Sequence, residues 1–301
     1  MVEQVEVEVP RSLDGARVDK VIAELFDVSR AAAVKVVEAG VEIDGTPARG
    51  RDRVDAGQVI RCRPPEERMP LRPEPVEFAV LHQDDAVIVV DKPAGVVVHP
   101  GSGRTGGTLA AGLVHRFPDL EGVGAADRSG LVHRLDKDTS GALLVARTQR
   151  SFDFLTAELR ARRIGRTYVA LVEGRMGAPT GTIDAPVGRD PVRPTRRALT
   201  HGGKHARTHY EVIRHYEGSG VSLLEVRLET GRTHQIRVHL AAIDRPVAGD
   251  VTYGATRKDL GSPRTFLHAS RLEFHHPEDG ARVSVEAALP ADLATVLTSL
   301  S

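Results

Sequence analysis

Leu131 to Gly141 reads LVHRLDKDTSG, and the rest of the chain is best understood outward from it. One carboxylate, Asp136, stands among His133, Arg134, Lys137, Asp138, Thr139 and Ser140, in a turn between two apolar runs. The run after it, Ala142 to Ala146, is bounded by Gly141 and Arg147, which predicts a buried strand. A charged loop emerging between core strands is a common place for chemistry, because the scaffold fixes it where a substrate can reach it. The same residues also suit a solvated turn with ordinary ion pairs, so chemistry alone leaves both readings open.

The 301 residues include 41 Lys and Arg, 41 Asp and Glu, 29 Gly, 18 Pro and one cysteine, Cys62. That length gives room for two domains, one much smaller than the other. No stretch approaches the ~20 apolar residues of a membrane span, and the opening MVEQVEVEVP lacks the basic and apolar regions of a signal peptide. A cytoplasmic protein with no membrane partner is expected. A single cysteine cannot form an internal disulfide or a cysteine metal cluster. Charge is uneven along the chain: Arg160 to Arg214 holds twelve Lys and Arg against Glu173, Asp184, Asp190 and Glu211, and the remainder is acidic. A positive segment in an otherwise acidic molecule suits a localised polyanion track.

Residues 1–63 read as a small unit. After a strand-like Gln4 to Val9, Val18, Val21, Ile22 and Leu25 recur at helical spacing. A second helix follows Ser29 as N-cap, with Val34, Val36 and Val37 apolar and Gly40 at its stop. A strand, a turn at Asp44-Gly45 and a strand over Gly57 to Cys62 complete it. This order resembles the alphaL RNA-binding domain. The resemblance implies phosphate contacts from Arg17, Ser29, Arg30, Lys35, Arg49, Arg51 and Arg53. Five prolines between Pro64 and Pro75 mark residues 64–76 as a stiff linker.

The larger domain, 77–301, opens with β-branched strands over Ala86 to Val90 and Val96 to Val98, turned at Pro93-Ala94-Gly95. Gly101, Gly103 and Gly106 fit a dinucleotide-loop spacing before a helix over Thr108 to Arg116, but they follow His99-Pro100 instead of a strand end. No cofactor is expected there. Thr148 to Arg163 has a helical apolar face of Phe152, Leu155 and Leu159. Gly165 to Gly174 alternates as a strand that puts Tyr168, Ala170 and Val172 on one face. His201, His205 and His209 would make a metal site only on a helix, which Gly202-Gly203 disfavours, so none is expected. Strands over Thr208 to Ile213 and Ser222 to Leu228 precede GRTHQIRVH, whose Ile236, Leu240 and Ile243 lie along one side of a helix.

The blocks KPAG, HRLDKDTSG, the tyrosine strand and GRTHQIRVH, in that order, resemble the RluA/RluD family of pseudouridine synthases over nearly the whole chain, and GDVTYG and FLHASRLEFHHP resemble its closing strands. The resemblance implies an α+β catalytic domain around a mixed, largely antiparallel sheet with a central cleft. It makes Asp136 the catalytic residue, Arg232 its pairing arginine and Tyr168 a group that stacks on uracil and helps remove the carbon 5 proton. Ile236 would line the pocket, and Arg134 would fill the stack vacated by a flipped base. The implied reaction isomerises uridine in RNA, closest to the members acting on large-subunit ribosomal RNA, by a monomer that consumes no external reactant. Two further readings remain at this point: a nonenzymatic ribosomal RNA-binding protein, and a hydrolase using Ser140, His133 and Asp138, for which no G-x-S-x-G elbow is present.

Overall fold

Val87, Ile88, Val89 and Val90 are all fully buried, because the strand that carries them has a hydrophobic layer on each face. Ile88 and Val90 join one core layer and Val87 and Val89 the other. The computed structural model of the chain describes residues 4–26, 28, 30–64, 71–99, 106–124, 129–193 and 196–300, leaving aside the side chains of Arg30 and Ala31. Two compact units divide the chain, 1–69 and 70–301.

The first unit runs β1 (Val5–Glu8), β2 (Ala16–Arg17), α1 (Val18–Leu25), α2 (Arg30–Glu38), β3 (Val41–Ile43), β4 (Thr46–Pro47), β5 (Arg53–Val54) and β6 (Val59–Cys62). Val18, Val21 and Ile22 of α1 pack with Val36, Val41 and Ile60, as the helical spacing predicts, whereas Val34 is exposed. Asp44 and Gly45 both take positive φ, 48° and 77°, the geometry of a two-residue hairpin turn between β3 and β4. Ser29, the expected N-cap of α2, lies outside the described residues.

The second unit begins with β7 (Ala79–Gln83), β8 (Val87–Lys92), α3 (Leu109–Arg116), β9 (Ser140–Ala146), α4 (Gln149–Arg160), β10 (Gly165–Glu173) and β11 (Thr180–Asp184). It continues with β12 (Val187–Arg189), β13 (Arg197–Leu199), β14 (Arg207–Tyr216), β15 (Val221–Leu228), α5 (Gln235–Ala242), β16 (Leu267–His275), β17 (Arg282–Glu286) and α6 (Ala291–Ser299). Among the described residues one sheet follows the order β11-β14-β15-β10-β16-β9-β8-β7, with β17 paired to β16. Its pairings are antiparallel except β9 with β16, so the sheet is mixed and largely antiparallel. That parallel pairing brings the backbones unusually close at Gly141, which has φ +116°; a Cβ there would lie 2.2 Å from the Ala269 carbonyl oxygen.

Two local expectations change. Val96 to Val98 makes a single bridge rather than a strand, because the Val97 and Val98 carbonyls accept the first N–H groups of α3, from Leu109 (2.8 Å) and Ala110 (3.0 Å). Gly249 to Gly254 is a succession of turns, not a closing strand.

Candidate active site

Asp136 lies in the loop that leads into β9, and the flanking carbonyls of that loop are held from several sides. Lys92, fully buried at the end of β8, spends its three protons on the carbonyls of Pro93 (2.7 Å), Val96 (2.9 Å) and Lys137 (3.1 Å). Burial brings its ammonium down to about 8, against the raising influence of Asp138 and Asp136. The Gly95 N–H also donates to Lys137 O (2.9 Å), and Arg264 Nη1 donates to Asp138 O (3.0 Å) while its Nε pairs with Asp292 of α6 (2.7 Å). The KPAG turn and the C-terminal helix are thus fastened to the residues that follow Asp136.

The hydrolase constellation is not assembled. Ser140 Oγ accepts from Arg264 Nη2 (3.0 Å) and lies 2.9 Å from His268 Nδ1, whose other nitrogen faces Ala287 O. His133 Nε2 instead accepts the Leu144 N–H at 3.1 Å. Burial, with Arg166 adding to it, pushes the His133 ring down to about 3, so it is neutral at physiological pH.

Asp136 pairs with Arg237, not with Arg232 as the resemblance implied. Arg237 Nη1 donates to Asp136 Oδ2 at 3.3 Å, and its Nε and Nη2 grip Asp250 at 2.5 and 2.9 Å. Asp250 is almost completely buried and also accepts the Thr252 N–H, so it orients the guanidinium that faces Asp136. Although burial opposes them, the two carboxylates hold the Arg237 proton more firmly than usual. Arg232 points its Nε to the His205 carbonyl (3.0 Å) and stays exposed in the lining of the cleft. The reason for the swap is local geometry. Gln235, 2 % exposed, satisfies all four of its amide positions with Thr230, the Arg232 N–H, Arg207 O and Thr208. His234 turns the chain at φ +58°, and α5 then begins at Gln235. Arg232 therefore belongs to the entry loop and Arg237 to the first turn of the helix.

The cleft around Asp136 has a volume of about 530 Å³. Its apolar lining includes Tyr168 and Ile236, both buried, with Leu131 and Leu135. Arg134, Arg160 and Arg162 are exposed in the lining, and Arg166 is buried in it. Burial pushes the Tyr168 hydroxyl up to about 12, with Arg166 opposing and Asp136 adding, so it is a phenol at neutral pH and a poor base. Stacking against a planar base is the role its face and protonation state suit.

The residues assigned to phosphate contact in the first unit differ in availability. Lys35, Arg49 and Arg51 are exposed and make no ion pair among the described residues. Arg17 is engaged by Asp19 through two bonds (3.0 and 2.8 Å), and Arg53 Nη1 donates to Gly15 O (2.5 Å). Ser29 and the Arg30 side chain lie outside the described residues.

A sheet flanked by helices, with Asp136 held by Arg237 in a cleft lined by further arginines, defines an α+β enzyme suited to a polyanionic substrate. Residues 86–242 match the family described as RNA pseudouridylate synthase, and the chain belongs to that family. A Mycobacterium bovis protein described as an uncharacterized RNA pseudouridine synthase is 42% identical over 97% of this chain and 96% of its own. The ribosomal large subunit pseudouridine synthase D of Nitrosomonas europaea is 41% identical, covering 98% of this chain and 88% of that one. The structure of human RNA pseudouridylate synthase domain containing 1 superposes with a TM-score of 0.56 at 27% identity, covering 74% of this chain and 94% of that one. The protein is an RNA pseudouridine synthase, an isomerase; family membership overturns the nonenzymatic reading.

Proposed function

We propose that this enzyme isomerises uridines in large-subunit ribosomal RNA, with Asp136 as the reacting carboxylate. The observation that carries the chemical assignment is the Asp136–Arg237–Asp250 chain, which fixes the Asp136 carboxylate at a cleft where Arg134, Arg160 and Arg232 make no ion pair among the described residues. The choice of RNA rests on likeness to the Nitrosomonas relative.

In the reaction the bond from uracil N1 to the ribose breaks, the base turns, carbon 5 bonds to the anomeric carbon, the carbon 5 proton is lost to solvent, and N1 takes up a proton in exchange. The product is an isomer of the substrate. Asp136 either attacks the anomeric carbon or takes a neighbouring ribose proton as the base departs. Arg237 holds the carboxylate in register for either route. The base must first leave its stack, at a cost of roughly a few kcal/mol, and Arg134 is placed to occupy the vacancy. Tyr168 and Ile236 hold the flipped uracil.

Two regions serve RNA outside the cleft. The β12–β13 hairpin carries Arg189, Arg193, Arg196 and Arg197, which make no ion pair among the described residues, whereas Arg162 and Arg207 nearby in sequence are paired with Glu229 and Asp184. Unpaired guanidinium groups are free to meet phosphates. The first unit acts as an alphaL-type RNA-binding domain joined by the 64–76 linker, and the enzyme works as a cytoplasmic monomer. The test is to map pseudouridines in ribosomal RNA from cells with and without this protein, then restore the gene as parent or as Asp136→Asn. Sites that disappear and return only with the parent identify the target; an unchanged ribosomal map sinks the choice of RNA.

A further inference from the structure

Tyr253, within the turns of Gly249 to Gly254, meets both the basic hairpin and the Asp136 pair. Its hydroxyl lies 2.8 Å from the Arg197 backbone nitrogen and 2.8 Å from His234 Nδ1. The amide can only donate, so it takes a lone pair of the phenol, and the phenolic proton, with no other acceptor among the described residues, goes to Nδ1. That leaves the proton of the neutral His234 ring on Nε2, and burial favours the neutral ring. The ring of Tyr253 lies under two guanidinium groups, 5.0 Å from Arg237 and 5.1 Å from Arg196. Its own backbone N–H donates to Asp250 Oδ1 (3.3 Å), the oxygen that also accepts Arg237 Nη2.

One side chain therefore touches the first residue of β13, the residue before α5, and the arginine that faces Asp136. We infer that Tyr253 is a positioning residue that couples the seating of the β12–β13 hairpin on the substrate strand to the setting of the Asp136–Arg237 pair. A displaced hairpin moves the Arg197 amide, the phenol loses that donor, and both the His234 tautomer and the plane supporting Arg237 lose their restraint. The inference rests on the reading that the hairpin engages RNA phosphates. It does not depend on which uridine is modified.

The test uses the full chain and an RNA that the parent converts. Tyr253→Phe keeps the ring under both arginines and removes the hydroxyl, whereas Tyr253→Leu removes both. At saturating RNA the single-turnover rate should fall roughly tenfold in the Phe variant, as for the loss of one net hydrogen bond. In the Leu variant it should fall about a hundredfold, as for a misplaced reacting group. RNA affinity should stay within about twofold in both. Arg193→Gln should lower affinity and saturating rate in the parent but affinity alone in Tyr253→Phe, because the link is already cut. A readout that needs no RNA is the ¹⁵N shift of His234 Nδ1, which should move toward that of an unbonded ring nitrogen in Tyr253→Phe.

A Phe variant with the parent's rate would overturn the inference, as would equal losses of rate and affinity, which would make Tyr253 a simple RNA contact. An unmoved His234 signature would overturn it too, whether or not the Leu variant folds. A parent that leaves ribosomal transcripts untouched but converts another RNA would instead overturn the choice of target and leave this comparison intact.

Discussion

Arg237 Nη1 reaches Asp136 Oδ2 at 3.3 Å while the rest of its guanidinium is clamped by Asp250. An ammonium has no planar fork and cannot hold Asp250 through two edges while facing Asp136 with a third. Arg237→Lys should therefore lower the saturating single-turnover rate by about a hundredfold or more, with RNA affinity nearly unchanged. Arg232→Lys, at an exposed side chain that hydrogen-bonds only the His205 carbonyl among the described residues, should change affinity more than rate. Transient kinetics on the two variants decide between them; the opposite pattern would return the pairing role to Arg232.

Asp136→Asn preserves volume and removes the reacting charge. It should fold, bind RNA as the parent does and form no measurable pseudouridine. Activity within about tenfold of the parent, equivalent to 1.4 kcal/mol in barrier, would remove Asp136 from the centre of the mechanism.

The residues described as lining the cleft all belong to the second unit. A chain beginning at Leu71 should keep its single-turnover rate at saturating RNA and bind more weakly. For every phosphate that the shortened chain no longer neutralises, the slope of log affinity against log salt should also shrink in magnitude by roughly 0.7 to 0.9. Affinity titrations at several salt concentrations check this. Tight binding with an unchanged slope would make the unit an appendage, and normal binding without turnover would place it in the chemistry.

His133 links stability to pH. The unfolded chain takes up a proton near 6.5, whereas the folded ring resists one until about 3, since burial, with Arg166 adding to it, disfavours the charged form. The folded pKa lies below the unfolded one, so the unfolded state binds more protons between these values and stability falls as pH drops through that window. The slope is at most about 1.4 kcal/mol per pH unit for one proton. Urea unfolding of parent and His133→Gln at pH 7 and pH 5 should show the parent losing roughly 1 to 2 kcal/mol more than the variant. Parallel losses would mean that another group carries the acid sensitivity.

Gly141 closes the signature loop at the tightest point of the β9–β16 pairing. Gly141→Ala places a methyl 2.2 Å from the Ala269 carbonyl at φ +116° and should destabilise the fold by roughly 3 kcal/mol, read from the urea midpoint. A variant as stable as the parent would show that the two strands separate at little cost.

The sequence by itself determined the elements whose signal is local. Ala142 to Ala146 is buried because its run is apolar throughout, Tyr168 shares a face with Ala170 and Val172 because strands repeat every two residues, and α3 falls within the expected Thr108 to Arg116. The family resemblance added the expected role of Asp136 and placed Tyr168 and Ile236 in the pocket lining. Which arginine meets Asp136 was decided only in three dimensions. Arg232 and Arg237 are five residues apart in one motif, and the left-handed turn at His234 with the buried Gln235 sends one to the entry loop and the other to the helix. Asp250, Tyr253 and Lys92 stood in the GDVTYG and KPAG blocks without a role of their own, since that role depends on Arg237, the Arg197 amide and the Lys137 carbonyl, and Val96 to Val98 gave up its strand because α3 needed its carbonyls. Periodicity reports what a residue does to its own element; a hydrogen bond across 101 positions, as between Arg237 and Asp136, exists only once the sheet and α5 have brought the two ends together.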